Sequence, residues 1–299
     1  MPAASARIHP GRWPSASLLD RASHQWRQHP LAQGLISGLL PAWGWCDYIS
    51  SQPVMGYTGS YDLPDPIAHP TLGQAWDFAG SRRITLGNWG NEHWAGAGKA
   101  FSITAVVERI NAHSGDGCII AKADSSGMTW DLWALSTGGG YNRLQWTIRG
   151  AAGAYLIMYT HEPSFTIEED RPCVITCTYD HSRSGSDRIR AYINGQDVSS
   201  GYSESGDFSA GASDNSAQII LGCFAPDNSY FWPGRLGGLW MHNRALTPAE
   251  VWQLYAPQTR SHLLPLRSRR VRTASPAEPE PPASGHAYYF RQFILRRSA

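Results

Sequence analysis

Lysine is nearly missing from this 299-residue chain: Lys99 and Lys122 are its two, and arginine supplies the rest of the basic residues. Its cationic chemistry therefore works through planar guanidinium forks, which suit carboxylates and phosphates, rather than through ammonium point charges. Long apolar runs are also lacking. No stretch approaches the roughly 20 apolar residues of a membrane-spanning helix, and residues 1–30 lack the continuous apolar segment of a secretory leader. Cysteine is sparse and odd in number: Cys46, Cys118, Cys173, Cys177 and Cys223, with no C-x-x-C and no N-x-[ST] sequon anywhere. Cys173 and Cys177 fall on one face of a strand, about 13 Å apart at ordinary strand rise, too far for a disulfide. These absences argue against a disulfide framework and predict reduced core thiols in a protein made in a cytoplasm. There is no G-x-S-x-G, H-E-x-x-H or G-x-x-x-x-G-K-[ST], which removes the commonest signatures of acyl transfer, metalloprotease and nucleotide chemistry. His161 and His242 read as surface or core-satisfied residues.

What is present is apolar and aromatic. A hydrophobic fraction of 42% and 13 tryptophans are enough for a sizeable core. The formal charge of +1 conceals an asymmetry: residues 31–259 hold 13 basic and 21 acidic side chains, net −8, whereas residues 1–30 carry +3 and residues 260–299 carry +6. An acidic body between two basic arms is expected, with boundaries at 1–30, 31–257 and 258–299. The first arm is rich in Pro, Ala, Ser and Arg. The last joins a basic stretch (Arg267, Arg269, Arg270, Arg272) to a Pro-rich linker at 274–284 and a strand-like aromatic run at 288–295.

Within the body the signals are short alternating runs separated by Gly and Asp, the spacing of an antiparallel sandwich. Phe101, Ile103, Ala105 and Val107 form one strand face; Leu144, Trp146 and Ile148 form another. Asn194-Gly195 predicts a tight hairpin turn with positive φ at both residues. Residues 52–70, with four prolines, and 199–216, rich in Ser, Gly and Asp, read as exposed loops. Leu239 and Met241 share one strand face and Trp240 takes the other. The following Thr247-Pro248-Ala249-Glu250 carries a complete helix start: Thr cap, Pro in the first turn, and Glu three residues on.

The run Gly234-Arg235 to Asn243-Arg244-Ala245-Leu246, then Glu250, Leu254 and Tyr255, resembles the closing strand and helix of laminin-G-like, concanavalin A-like jelly rolls. Gly73 to Phe78, Phe101 to Ala105, Val174 to Asp180, and Arg190 to Gly195 resemble further motifs of that family, in its order. The resemblance implies an all-β, two-sheet antiparallel jelly-roll sandwich with one short C-terminal helix, flanked here by extended arms.

Fold alone does not give function, since such domains serve as lectins, adhesion modules, glycosidases and viral structural parts. A retaining glycosidase needs two carboxylates about 5 Å apart, and Glu168-Glu169-Asp170 does not continue into the expected acid motif, so no catalysis is expected. Scattered Asp116, Asp124, Asp180, Asp187, Asp207, Asp214 and Asp227 form no dense calcium loop and read as turn residues; no cofactor is expected, with calcium, which related jelly rolls bind through loop carboxylates, the alternative. Aromatics in polar loops, Trp89, Trp94, Tyr141 and Tyr230, are the candidate glycan-stacking residues. The absent leader and the two arms suit a non-enzymatic virion protein of a tailed bacteriophage, a capsid decoration or tail part, since the resemblance implies that such domains are frequent there. Its partners would be other virion proteins, copies of itself and a host surface glycan. The arm residues Arg267, Arg269, Arg270, Arg272, Tyr288, Tyr289, Phe290, Phe293 and Leu295 would carry assembly. Nucleic acid is not expected against a body of net −8, nor is a membrane. The alternative is a surface or secreted lectin-like adhesion module.

Overall fold

The computed structural model describes residues 30–39, 41, 64–78, 82–88, 91–110, 116–124, 127–136, 142–160, 167, 168, 170–213, 215–224 and 229–256. The expected assembly residues from Arg267 to Leu295 lie outside these. Period-two alternation has produced two sheets. The larger contains β1 (Leu35–Leu39), β2 (Asp65–His69), β3 (Gly73–Asp77), β5 (Ala100–Arg109), β10 (Cys173–Asp180), β11 (Ile189–Ile193), β12 (Gln196–Asp197) and β15 (Gly234–His242). The smaller contains β4 (Ile84–Gly87), β6 (Gly117–Asp124), β7 (Gly127–Ser136), β8 (Asn142–Arg149), β9 (Tyr155–Tyr159), β13 (Gly201–Ser205) and β14 (Ile219–Leu221). Their orders are β12-β11-β10-β5-β15-β3-β2, with β1 also on β15, and β13-β9-β8-β7-β6-β14-β4. The pairings are antiparallel throughout, as expected of a concanavalin A-like sandwich.

The core lies between the sheets. Phe101, Ile103, Ala105 and Val107 of β5 meet Trp130 and Leu132 of β7 and Leu144, Trp146 and Ile148 of β8 in one buried cluster. Phe101 sits among Trp94, Trp130, Trp146 and Tyr179, with ring centroids 5.4 to 6.1 Å away in tilted or edge arrangements. Strand β5 is buried on its other face as well. Thr104 Oγ1 lies 3.0 Å from Thr176 Oγ1, and Ser102 Oγ donates to Arg244 O while accepting from Leu246 N.

That outer face of the larger sheet is closed by the helix Pro248–Tyr255. Eight residues are too few for a stable helix in isolation, so caps and packing hold it. Thr247 Oγ1 accepts from Glu250 N, and the Glu250 carboxylate accepts from Thr247 N, completing the capping box read from the sequence. Val251 and Leu254 are driven with Leu246 onto Leu31 and Tyr192. Trp240, on the side of β15 opposite Leu239 and Met241, joins Val106 and Val174 in a second outer cluster. Cys118, Cys173, Cys177 and Cys223 are buried thiols outside any disulfide; desolvation, helped by the Glu168 charge, pushes the Cys173 thiol up to about 12. At Asn194-Gly195, φ of 52° and 80° make the expected turn.

Two loop expectations are corrected. Residues 65–69 form edge strand β2, with Pro66 placed where a sheet tolerates it. Residues 201–205 form β13 on the edge of the smaller sheet. The rest of that Ser/Gly-rich stretch plugs one end of the sandwich: Phe208 is buried against Gly150 and Tyr179, and Ala212 bridges to Gly96 and Gly150.

Candidate functional site

On the outer face of the smaller sheet, Cys118, Ala121 and Ala123 of β6 and Thr129 and Asp131 of β7 are buried, and partly exposed side chains are gathered on β8 and β9. In NRLQWTIR and YLIMY, Leu144, Trp146, Ile148, Leu156 and Met158 face the core and are at most 2% exposed. The alternate positions, Arg143, Gln145, Thr147 and Arg149 on β8 and Tyr155, Ile157 and Tyr159 on β9, therefore share the outer face. All but the buried Thr147 are partly exposed. Register sets Gln145 opposite Tyr159, Thr147 opposite Ile157 and Arg149 opposite Tyr155. The turn between the strands fixes that register: Gly150 N bonds to Ala154 O, with positive φ at Ala152 and Gly153.

Each arginine lies over a tyrosine. Arg143 Cζ is 4.8 Å from the Tyr159 ring centre and Arg149 Cζ is 5.3 Å from that of Tyr155, within the range of cation–π attraction. Between them Gln145 Nε2 donates to Thr147 Oγ1 at 3.2 Å. The one carboxylate that β7, β8 and β9 place on this face is Asp131, paired in register with Thr147 and 3% exposed. Flat rings flanked by amide, hydroxyl and guanidinium groups can stack on a sugar ring and bond its hydroxyls.

Of the four expected glycan residues, Trp89 and Tyr141 lie outside the described residues. Trp94 does not face solvent: the short helical turn Asn91–Trp94 directs it into the core, fully buried against Phe101 and Trp130 at 6.0 and 5.7 Å. That corrects its reading as a surface platform; its indole is needed to fill the end of the sandwich. Tyr230 is 47% exposed, edge-on to Phe224, with φ 52°. It lies on a separate loop, so these candidates do not form one cluster. Sequence reasoning missed Arg143, Arg149, Tyr155 and Tyr159, although alternation in YLIMY signals the two outward tyrosines. It also missed Trp252, 52% exposed on the C-terminal helix beside Tyr255.

Glu168 pairs with Arg171 instead of facing a second acid. The Asp residues are used in turns and pairs: Asp180 accepts from Ser182 N and Oγ, Asp187 pairs with Arg190, and Asp207 accepts from Ser209 N, which lowers its pKa. Among the described residues no group of three or more His, Cys, Asp or Glu is placed to hold a metal ion, and no helix is long and apolar enough to cross a membrane.

A laminin-G-type family profile, described as concanavalin A-like lectin/glucanases superfamily, matches residues 70–252. No curated protein matches the chain. Among solved structures, domain 4 of AbnA, an extracellular arabinanase from Geobacillus stearothermophilus in complex with arabinotriose, is similar at TM-score 0.51 and 13% identity, over 74% of this chain and 98% of that one. Trypanosoma rangeli sialidase is similar at 0.52 and 12% identity, over 81% of this chain and 38% of the enzyme. A botulinum neurotoxin type C structure, whose cell entry depends on two ganglioside molecules, is similar at 0.50 and 12% identity, over 81% and 52%. At such identities the likeness is one of fold.

Proposed function

Because the chain belongs to the concanavalin A-like lectin/glucanases superfamily, we propose that it is a non-enzymatic glycan-binding protein whose site is the outer face of strands β8 and β9. The observation that carries this is the pair of arginines lying over tyrosine rings at partly exposed positions of those two strands. Absence of turnover is part of the proposal: hydrolysis needs two flanking carboxylates, and β7 to β9 offer Asp131 alone. Domains of this fold occur in arabinanase, sialidase and neurotoxin structures whose names mention saccharide ligands. Isothermal titration of the full chain against host-surface oligosaccharides, with Tyr155→Ala and Tyr159→Ala beside it, tests the reading. Each variant should lose most of the binding while melting as the parent does, and no reducing ends should appear. Unchanged binding in both would move the site elsewhere.

We further propose that this module serves in the virion of a tailed bacteriophage, made in the host cytoplasm and held by its arms to virion proteins and to copies of itself. Support comes from the ends of the sequence, where net charges of +3 and +6 flank the acidic body. The aromatic run at 288–295 has the pattern of a strand added to a neighbour's sheet. Deleting residues 285–299 should leave the melting temperature unchanged and abolish incorporation into particles. Normal incorporation of the truncated chain would overturn this placement.

A further inference from the structure

The stacked arginines also indicate what kind of glycan fits. Most described arginines meet a carboxylate: Arg82 with Asp65, Arg171 with Glu168, Arg183 with Asp180, Arg188 with Glu204, Arg190 with Asp187 and Asp197, Arg235 with Glu108, and Arg244 with Glu250. Among the described residues Arg143 and Arg149 have no carboxylate partner, and each lies over a tyrosine ring instead. The Nε of Arg143 is buried and makes no hydrogen bond. In a body of net −8, two guanidiniums on one strand face, neither of them in an ion pair with a described carboxylate, are out of keeping with the other arginines.

A ring contact uses none of the strong acceptors a guanidinium can bond, so its N–H fork remains available to grip a carboxylate or sulfate. A neutral saccharide covering this face would strip water from both cations and offer only uncharged hydroxyl acceptors in return. Six strand steps set the two arginines about 20 Å apart, with Gln145 and Thr147 between them on the same face. Building on the glycan-binding reading, we propose that the ligand is an anionic oligosaccharide with negative groups on well-separated units, one held by Arg143 and one by Arg149. Single-stranded nucleic acid also combines rings with anions, but its backbone needs a continuous cationic groove. Here two arginines share their face with Asp131 in an acidic body.

The experiment uses the full chain and matched probe pairs: uronic-acid oligosaccharides beside their carboxyl-reduced forms, sulfated oligosaccharides beside their desulfated forms, and a dT oligonucleotide. The acidic member of a pair should bind roughly tenfold or more tightly than its neutral partner, and less tightly as salt is raised. Arg143→Gln and Arg149→Gln should each reduce that preference, whereas Arg183→Gln, in the turn that follows β10 of the larger sheet, should not. The pair that shows the preference identifies carboxylate or sulfate as the group recognised. Equal binding of acidic and neutral members, unaffected by either arginine variant, would overturn the charge assignment and leave glycan binding standing. No binding to any saccharide would remove both readings, and tighter binding of the oligonucleotide with the same arginine dependence would replace the saccharide with nucleic acid. If an arginine variant fails to fold, the acidic-against-neutral comparison and its salt dependence in the parent chain decide.

Discussion

Arg244 holds Glu250 with both terminal nitrogens, Nη1 at 2.8 Å from Oε2 and Nη2 at 2.7 Å from Oε1. The same guanidinium donates to Pro30 O and Gln33 O, and the same carboxylate accepts from Thr247 N. One ion pair thus joins the helix start, the end of β15 and the segment before β1. Thr247→Ala removes the hydroxyl that accepts from Glu250 N and donates to Glu250 Oε2 and should cost about 1 kcal/mol. Glu250→Ala also strands Arg244 and should cost more, about 2 to 3 kcal/mol. Denaturant unfolding of both variants checks that order.

Acid should destabilise the fold in two steps. Burial lowers the His242 pKa from 6.5 to about 4, against the opposing hydrogen bond to Leu31 O. The unfolded chain then binds a proton between those values that the folded chain does not, so stability is full above pH 6.5 and falls as pH drops toward 4. The shift corresponds to about 3 kcal/mol at most. For Glu250, burial raises the pKa but is outweighed by the bonds from Arg244 and Thr247, which leave it lowered to about 2. Its contribution is present above pH 4.5 and is lost as pH falls through 2. Melting temperature against pH should show both windows, and His242→Gln should flatten the upper one.

Glycine is required at two turns. At Gly195, φ is +80° and a Cβ would lie 2.7 Å from Trp252 Cε3; at Gly211, φ is +78° and a Cβ would lie 2.2 Å from Gly96 O. Gly211→Ala should destabilise by more than Gly195→Ala, because backbone yields less than the edge of an exposed ring. Each should exceed about 1 kcal/mol in chemical denaturation.

Trp94 and Tyr230 should separate cleanly in the same assay. Trp94→Ala empties a fully buried site and should cost about 3 to 5 kcal/mol. Tyr230→Ala removes a half-exposed ring at positive φ and should change stability by less than about 1 kcal/mol.

Much of this architecture was legible because local signals and packing agree. The alternation in AFSITAVVER, the Thr247 to Glu250 box and the Asn194-Gly195 turn each specify a conformation that the sandwich also needs. Strand β13 was not legible, because an edge strand presents few apolar side chains and Gly201, Ser203 and Ser205 carry no strand signal of their own. Trp94 was misread because a polar neighbourhood in sequence says nothing about which way a short turn points its side chain. The stacks of Arg143 on Tyr159 and Arg149 on Tyr155 depend on the register of two strands, and that is set by a strained turn with Ala152 at φ 53°, which composition does not reveal.

Strand β15 pairs with β5 along one edge and, along the other, with β3 and then β1. Leu31 O meets His242 Nε2, and Asn243 N donates to Gly34 O. The first and last segments of the sandwich are therefore bound to each other at one corner. Tension applied between residues 30 and 256 would not stretch the sheets lengthwise; it would peel β1 from β15 one hydrogen bond after another. Such unzipping yields at lower force than shear, so the module is mechanically weakest at the corner where the described chain enters and leaves it.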